Sequence, residues 1–413
     1  MKKMLRKFME YVDSSEFKAN YDIFHKLPAG KFAVIKISGK LIEDELDVFA
    51  EDIAYLNKLD IFPIIVHGAG STLDKKISST RIDGLRVTSR EDSEIMKETY
   101  GEISCAIKNA IIEKGGKAGI AKKCIFGHFL DKDKYGHVGD IDRIDLEPVN
   151  ILLDNNITPI ISPWCRYSDD ILNINADTVA REVVRAIQPR KFILLTETGG
   201  ILDRTGAIIP FTNLSEDDIS HINGGMQLKV REIRQFLEEN RECAVVITSA
   251  KNLLKEIFTI QGSGTFIKYY QIESTVRDFD EAKMVKLLEA SFDKKLANEY
   301  FSTEIKEVFY EKNYEGAAII KMIDGINYLD KFVVMKYRQG SGLGKSLMSE
   351  VFKKYDSLIW RASSKNQIKG FYEKNSDGMM KKNGWTIFWR NIADDRLIAI
   401  VNKVAALEKT MVD

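Results

Sequence analysis

From Lys31 onward, short apolar runs alternate with amphipathic stretches of helical period. Phe32–Ile37, Phe62–Val66, Lys123–Phe126, Thr158–Ser162, Phe192–Thr196 and Ala244–Thr248 are brief, rich in β-branched and aromatic residues, and read as strands. Between them, apolar positions recur every three or four residues near 44–59, 92–114, 174–187, 226–239 and 251–259, which predicts helices. Strands alternating with helices predict an α/β fold with a mostly parallel sheet covered on both faces. Ligands of such sheets bind beyond the carboxyl ends of the strands. Glycines cluster at two of those ends, at 39 and at 68–70. Ahead of this pattern, residues 2–26 read as helical, with Leu5, Phe8, Met9 and Val12 on one side. They form an appendage, 1–28, used for assembly or packed on its own domain.

The rhythm breaks at YYQIESTVRD, 269–278, and a second pattern begins at Asp280. It predicts two helices, strands near 307–311, 316–321 and 326–335, a glycine-rich turn at Gln339–Gly344, and a helix over 343–355. Strands Leu358–Arg361 and Trp385–Arg390 complete it. The expected domains are therefore 29–270 and 271–413 after the appendage, a division that suits a length of 413 residues.

Charge changes the picture only by exclusion. Basic and acidic residues number 61 each, so nothing calls for nucleic acid or an anionic membrane as partner, and any anionic ligand must be held by local clusters. The four cysteines form no CxxC pair and no zinc spacing, which predicts a reduced, cytoplasmic setting and no metal site. No apolar run approaches the roughly 18 residues of a membrane span, and the first residues lack the apolar core of a signal peptide.

Four segments carry candidate chemistry in the first half. Ile35-Lys36-Ile37-Ser38-Gly39 places a lysine at a strand end before a small-residue turn, where it can reach a phosphate held by backbone amides. His67-Gly68-Ala69-Gly70 is a second strand-to-turn junction. Asn173 and Asp177 lie four apart, expected on one helix face. Gly224-Gly225-Met226-Gln227-Leu228-Lys229 opens a helix that carries a lysine. Two lysines with a carboxylate between them suit phosphoryl transfer, which asks mainly for positioning and for neutralisation of spreading negative charge.

Over about residues 30–270 the chain resembles the amino-acid kinases, and N-acetylglutamate kinase among them, through AVIKISG, IIVHGAG, IDGLRVT, FLDKDKYGHVGDI, LNINADTVA, LTETGGIL and GGMQLKVREI. The resemblance implies a three-layer sandwich and MgATP as co-substrate. It implies that Lys36 and Lys229 stabilise the transferring phosphoryl group while Asp177 holds both lysines. The turns at Gly39, Gly68, Ala69 and Gly70 would bind phosphate. Arg86 and Asn173 would grip the α-carboxylate and amide of N-acetylglutamate. Ser38 and Ala69 stand where the family usually has glycine, and HGAG also resembles the fused kinase–synthase branch. The His67 imidazole reads as structural, since a carboxylate nucleophile needs no general base. The resemblance further implies L-arginine as an effector, near Gln261-Gly262-Ser263-Gly264, and a homo-oligomer, a tetramer.

In the second half, Gln339, Gly342 and Gly344 fit the Q/R-x-x-G-x-G loop that presents bare amides to acetyl-CoA pyrophosphate. A P-loop would need glycine at 339. With YLDKFVV before the loop and WR, Asn366, Phe371-Tyr372 and NSDG after it, residues 275–400 resemble the GNAT synthase domain of vertebrate-type N-acetylglutamate synthase. The resemblance implies that Lys331, Arg361 and Asn366 bind the carboxylates of L-glutamate. Gln339, Gly340, Gly342 and Gly344 would bind acetyl-CoA, and Tyr372 would protonate the departing thiolate. Ser363 stands where the family often has a second arginine. Trp360, Trp385 and Trp389 read as core aromatics. The expected activity is bifunctional, with synthesis of N-acetylglutamate followed by its phosphorylation. Two alternatives stand beside it, a synthase whose kinase fold only senses arginine, and a first half that serves only as a binding and assembly module.

Overall fold

The computed structural model describes residues 14–78, 80–215, 224–241, 243–258, 262–339, 341–364, 366 and 368–412. It forms two compact units, 1–269 and 270–413.

The first unit is built on eight strands: β1 (Ala33–Ile37), β2 (Ile64–His67), β3 (Ala118–Ile120), β4 (Thr158–Ile161), β5 (Lys191–Leu195), β6 (Phe211–Asn213), β7 (Ala244–Thr248) and β8 (Thr265–Lys268). Their order is β6-β8-β7-β5-β1-β2-β4-β3. All neighbours run parallel except β7 and β8. The sheet faces alternate as strand geometry requires. Ile35, Ile37, Ile193 and Val246 pack on one side with helices α2 (Gly39–Lys58) and α3 (Arg90–Glu113). Val34, Leu194, Val245 and Ile247 pack on the other with α4 (Ala176–Ile187) and α5 (Gly224–Glu239). This is the expected three-layer α/β sandwich.

Several element expectations need correction. The run at Lys123–Phe126 is not a strand of the main sheet: Ile125–Phe129 pairs with Gly139–Ile144 in a separate hairpin, and the sheet position goes to Ala118–Ile120. Helix α2 starts at Gly39 rather than near 44 because Ser38 caps it, and a non-helical Glu45 (φ −132°) interrupts it where the apolar pattern begins. Residues 1–13 of the N-terminal appendage lie outside the described residues. Its remainder, Ser14–Phe24, packs on its own unit through Phe17 against Phe258 at 4.8 Å and Phe24 against Phe32 at 4.9 Å.

The second unit is a seven-stranded sheet of β9 (Ile272–Thr275), β10 (Glu307–Glu311), β11 (Gly316–Ile323), β12 (Ile326–Val334), β13 (Leu358–Ser363), β14 (Gly378–Lys382) and β15 (Trp385–Arg390), ordered β9-β10-β11-β12-β13-β15-β14. Only β12 and β13 are parallel, and they pair at just two positions, Tyr328 with Ile359 and Leu329 with Trp360. Both strands continue past that point, so the sheet parts between them. Of the two helices expected after 280, one is α-helical, α6 (Glu281–Phe292); the other is a short 3₁₀ turn at Tyr300–Ser302. Helices α7 (Leu343–Lys354) and α8 (Asp394–Ala406) flank the sheet, and a short helix, Lys369–Lys374, carries Tyr372. Among the described residues no helix is long and apolar enough to cross a membrane.

Candidate active sites

In the first unit, β1 and β2 end side by side, Ile37 opposite His67, and the Gly68 N–H donates to the Ile37 carbonyl at 2.9 Å. The two turns touch. A Cβ on Gly39 would fall 2.8 Å from the Ala69 and Gly70 backbone, so no side chain fits there. Gly70 has no neighbour within 4 Å of such an atom and is exposed, so its lack of a side chain serves nothing inside the protein. Buried Ala69 caps the helix that begins at Gly70 without any side-chain hydrogen bond, leaving first-turn amides open.

Lys36 points to the α4–α5 face and is 9% exposed. Its ammonium lies 2.9 Å from the Asp177 carboxylate. Asp177 is fixed in the first turn of α4, where the Asn175 side chain accepts its N–H at 2.7 Å. Burial alone would push the Asp177 carboxyl up, but the Lys36, Lys229 and Arg181 charges hold it below its ordinary value. Lys229, delivered by α5, has its ammonium pushed down by burial against the pull of Asp177. A small pocket opens beside these groups, walled by Arg181, Phe192, Leu194 and Phe236.

Asn173 is not on the helix with Asp177. It ends a strand of a small hairpin, Asp170–Asn173, and α4 begins only at Ala176. Asn173 accepts from the Tyr100 hydroxyl at 3.2 Å and donates to Thr88 at 3.3 Å. The Thr88 hydroxyl donates to the Arg86 carbonyl at 3.0 Å, so Arg86 and Asn173 share a neighbourhood. Arg86 is buried, and its guanidinium is paired with Asp74. Tyr100, Thr88 and Asp74 were missed in the sequence; nothing about a tyrosine in mid-helix marks it as a support. His67 is fully buried, bonded to Ser104 at 2.7 Å, and its pKa is lowered to about 4 by that burial. Burial thus favours its neutral form.

In the second unit, Gly342 adopts φ +91° ahead of α7, a conformation that glycine takes without strain. Gly342, the residue that caps α7, offers no side chain to its first turn. Gln339 is exposed at the loop entrance, and Gly344 faces Phe332 and Val334. Gly340 lies outside the described residues.

A β-bulge in β12 sorts the remaining residues. Ile319 pairs with Lys331 and Ile320 with Leu329, leaving Asp330 as the extra residue. Leu329, Phe332 and Trp360 therefore face α7, together with Tyr372 and Phe388. Lys331 and Arg361 face the opposite side. The expected set thus divides between two faces, with the parted strands between them. Tyr372 is 5% exposed, its ring packed on Phe388, Phe332 and Trp360. Among the described residues its hydroxyl makes no hydrogen bond, and burial pushes its pKa up, so it holds its proton.

Lys331 is 4% exposed and donates to Asp330 at 2.8 Å and to Thr410 at 2.5 Å. Burial pushes its pKa down against the Asp330 charge. Asp330 also accepts from Tyr300 at 2.5 Å. Arg361 is oriented by the protein: it donates to the Val404, Leu407 and Glu408 carbonyls at 3.0, 2.8 and 2.9 Å, and lies over Trp385. Asn366 accepts from the Ile368 N–H at 2.9 Å and shapes the turn after β13. No contact joins it to Lys331 or Arg361 among the described residues.

This architecture and these residues define a chain of two transferase folds. Residues 31–249 match the amino acid kinase family, and residues 271–407 match NAT, the N-acetyltransferase of N-acetylglutamate synthase. The chain belongs to the amino acid kinase family, in a form that carries this N-acetyltransferase unit behind the kinase unit. An acetylglutamate kinase of Xylella fastidiosa is 35% identical over 386 residues, 89% of this chain and 92% of that protein. In fold, the chain is similar to N-acetylglutamate synthase from Neisseria gonorrhoeae complexed with coenzyme A and N-acetyl-glutamate (TM-score 0.65, 16% identity, covering 96% of this chain and 98% of the other). The same Neisseria protein complexed with coenzyme A and L-arginine aligns with a TM-score of 0.55 at 18% identity, over 91% and 97% of the two chains.

Proposed function

We propose that the chain carries out two consecutive steps of arginine biosynthesis. The second unit acetylates L-glutamate from acetyl-CoA, and the first phosphorylates the resulting N-acetylglutamate from MgATP. The observation that carries the kinase step is the set of buried Lys36 with half-buried Asp177 and Lys229, close to two touching glycine turns. The γ-carboxylate oxygen of N-acetylglutamate attacks the γ-phosphorus, and the bond to the β-phosphate oxygen breaks. The two lysines offset charge on the transferring group while Asp177 keeps them in register. A sensing-only unit has no need of this clustered charge set, which favours the bifunctional reading over the sensor and assembly alternatives.

For the synthase step, the glutamate nitrogen, having lost one proton to solvent, attacks the thioester carbonyl. The C–S bond breaks and the thiolate takes a proton from Tyr372. The second nitrogen proton restores the Tyr372 hydroxyl by way of water, so N-acetylglutamate, CoA thiol and one net proton result. Lys331 and Arg361 hold glutamate from one face of the parted strands, with Asn366 at the turn beyond β13, while the α7 loop holds acetyl-CoA from the other. The same reading includes L-arginine as effector of the kinase unit, cytoplasmic location and tetrameric assembly. The L-arginine complex of the fold relative supports the first of these.

A paired assay tests the proposal. Purified protein should give ATP- and N-acetylglutamate-dependent acyl phosphate, trapped as hydroxamate, and glutamate-dependent CoA release. Lys36→Ala should abolish the first and spare the second. CoA release without any hydroxamate from the wild type would sink the bifunctional claim.

A further inference from the structure

The segment after α8 was silent in the sequence, yet among the described residues it accepts three of the five hydrogen bonds of the two cations expected to hold glutamate. Its path is fixed independently of them. Met411–Val412 pairs with Lys295–Leu296, and the Ala297 N–H donates to the Thr410 carbonyl at 2.9 Å. That anchorage delivers the Thr410 hydroxyl to the Lys331 ammonium at 2.5 Å. A lysine ammonium has three N–H groups on a flexible stem. With one on Asp330 and one on Thr410, the direction of the third is set. The Tyr300 ring, 4.7 Å from the same nitrogen, closes another side. Ahead of this, the Leu407 and Glu408 carbonyls fix the Arg361 guanidinium.

We infer that Thr410 is a positioning residue of the acceptor site, aiming Lys331 at a carboxylate of the dicarboxylate acceptor. The inference rests on the synthase reading above. Ionic anchoring to Asp330 alone leaves the ammonium free to rotate about that contact; a second, neutral acceptor removes the rotation without competing for charge. Thr410 touches no substrate in this role.

The test uses the full-length chain. Thr410→Val keeps the shape and removes the hydroxyl, and Thr410→Ser restores it. Thr410→Val should raise the KM for glutamate about tenfold, as expected for a lost hydrogen bond to a charged group. It should leave the KM for acetyl-CoA and the hydroxamate rate unchanged, and Thr410→Ser should recover the glutamate KM. In a Lys331→Met background, Thr410→Val should add nothing. An unchanged glutamate KM, or an equal rise in both KM values, overturns the inference while leaving the synthase reading intact. A fall in the glutamate KM also overturns it, because the tail would then be competing with the acceptor. Absence of glutamate-dependent CoA release from the wild-type chain overturns both.

Discussion

Gly39→Ala is the sharpest probe of the phosphoryl site, because its consequence is steric and local. The added methyl would lie 2.8 Å from the carbonyl carbon and Cα of Ala69 and from the Gly70 nitrogen. These are backbone atoms and cannot swing aside as a side-chain tip would. Reaching ordinary contact requires the two turns to separate by about 0.6 Å, and overpacking of this kind costs about 1–3 kcal/mol. The same separation displaces Gly70 relative to Lys36, three residues before Gly39 on β1. Misplacement approaching 1 Å costs on the order of 100-fold in rate where catalysis is mostly positioning. The assay is hydroxamate formation with thermal unfolding, and CoA release by the second unit is the internal control. Gly70→Ala is the companion variant: its Cβ meets nothing in the protein, so melting should hold while hydroxamate formation falls through contact with the ligand. A Gly39→Ala protein that forms hydroxamate within about twofold of wild type would refute the claim that the touching turns set the geometry.

Tyr372→Phe should cut the kcat of CoA release by about 10²-fold or more while leaving the melting temperature unmoved, because the hydroxyl has no hydrogen-bond partner to lose among the described residues. Steady-state rates alongside thermal unfolding read both at once, and an unaltered kcat removes Tyr372 as the acid. His67 gives a pH dependence. Its folded pKa of about 4 lies below the ordinary 6.5, so the stability tied to its neutral form is complete above about pH 6.5 and is lost as pH falls toward 4. Full loss amounts to about 3 kcal/mol in the first unit. Denaturant unfolding at pH 7 and pH 4.5 should show a smaller pH effect for His67→Gln than for wild type; equal slopes would remove His67 as the cause.

What could be read from the chain, and what could not, divides by the range of the interactions. Lys36, Gly39 and Asp177 were legible because local motif, strand end and helix start coincide at each of them. The hairpin at Ile125–Phe129 was misplaced because a short apolar run looks the same in a central strand and in an appended ribbon, and only the partner, here Gly139–Ile144, decides. Asn173 and Asp177 have helical spacing, yet a strand end precedes the helix cap at Asn175, so spacing alone put them on one element. Edge strand Phe211–Asn213 has only three residues, too few for any period to show. The contacts of Arg361 with residues 404–408 and of Lys331 with Thr410 span 43 to 79 positions in the chain. No local pattern records such contacts.

The bulge at Asp330 makes β12 unusually forgiving of a change in length. In a regular ladder the loss of one residue turns every following side chain to the wrong face. Here Leu329 and Lys331 already occupy successive ladder positions, opposite Ile320 and Ile319. Deleting Asp330 would leave Lys331, Phe332 and Val333 on the faces they now hold. What would vanish is the carboxylate that receives Lys331 and Tyr300. A one-residue gap at position 330 would thus keep the register of β12 and be felt instead as a buried lysine left without its carboxylate.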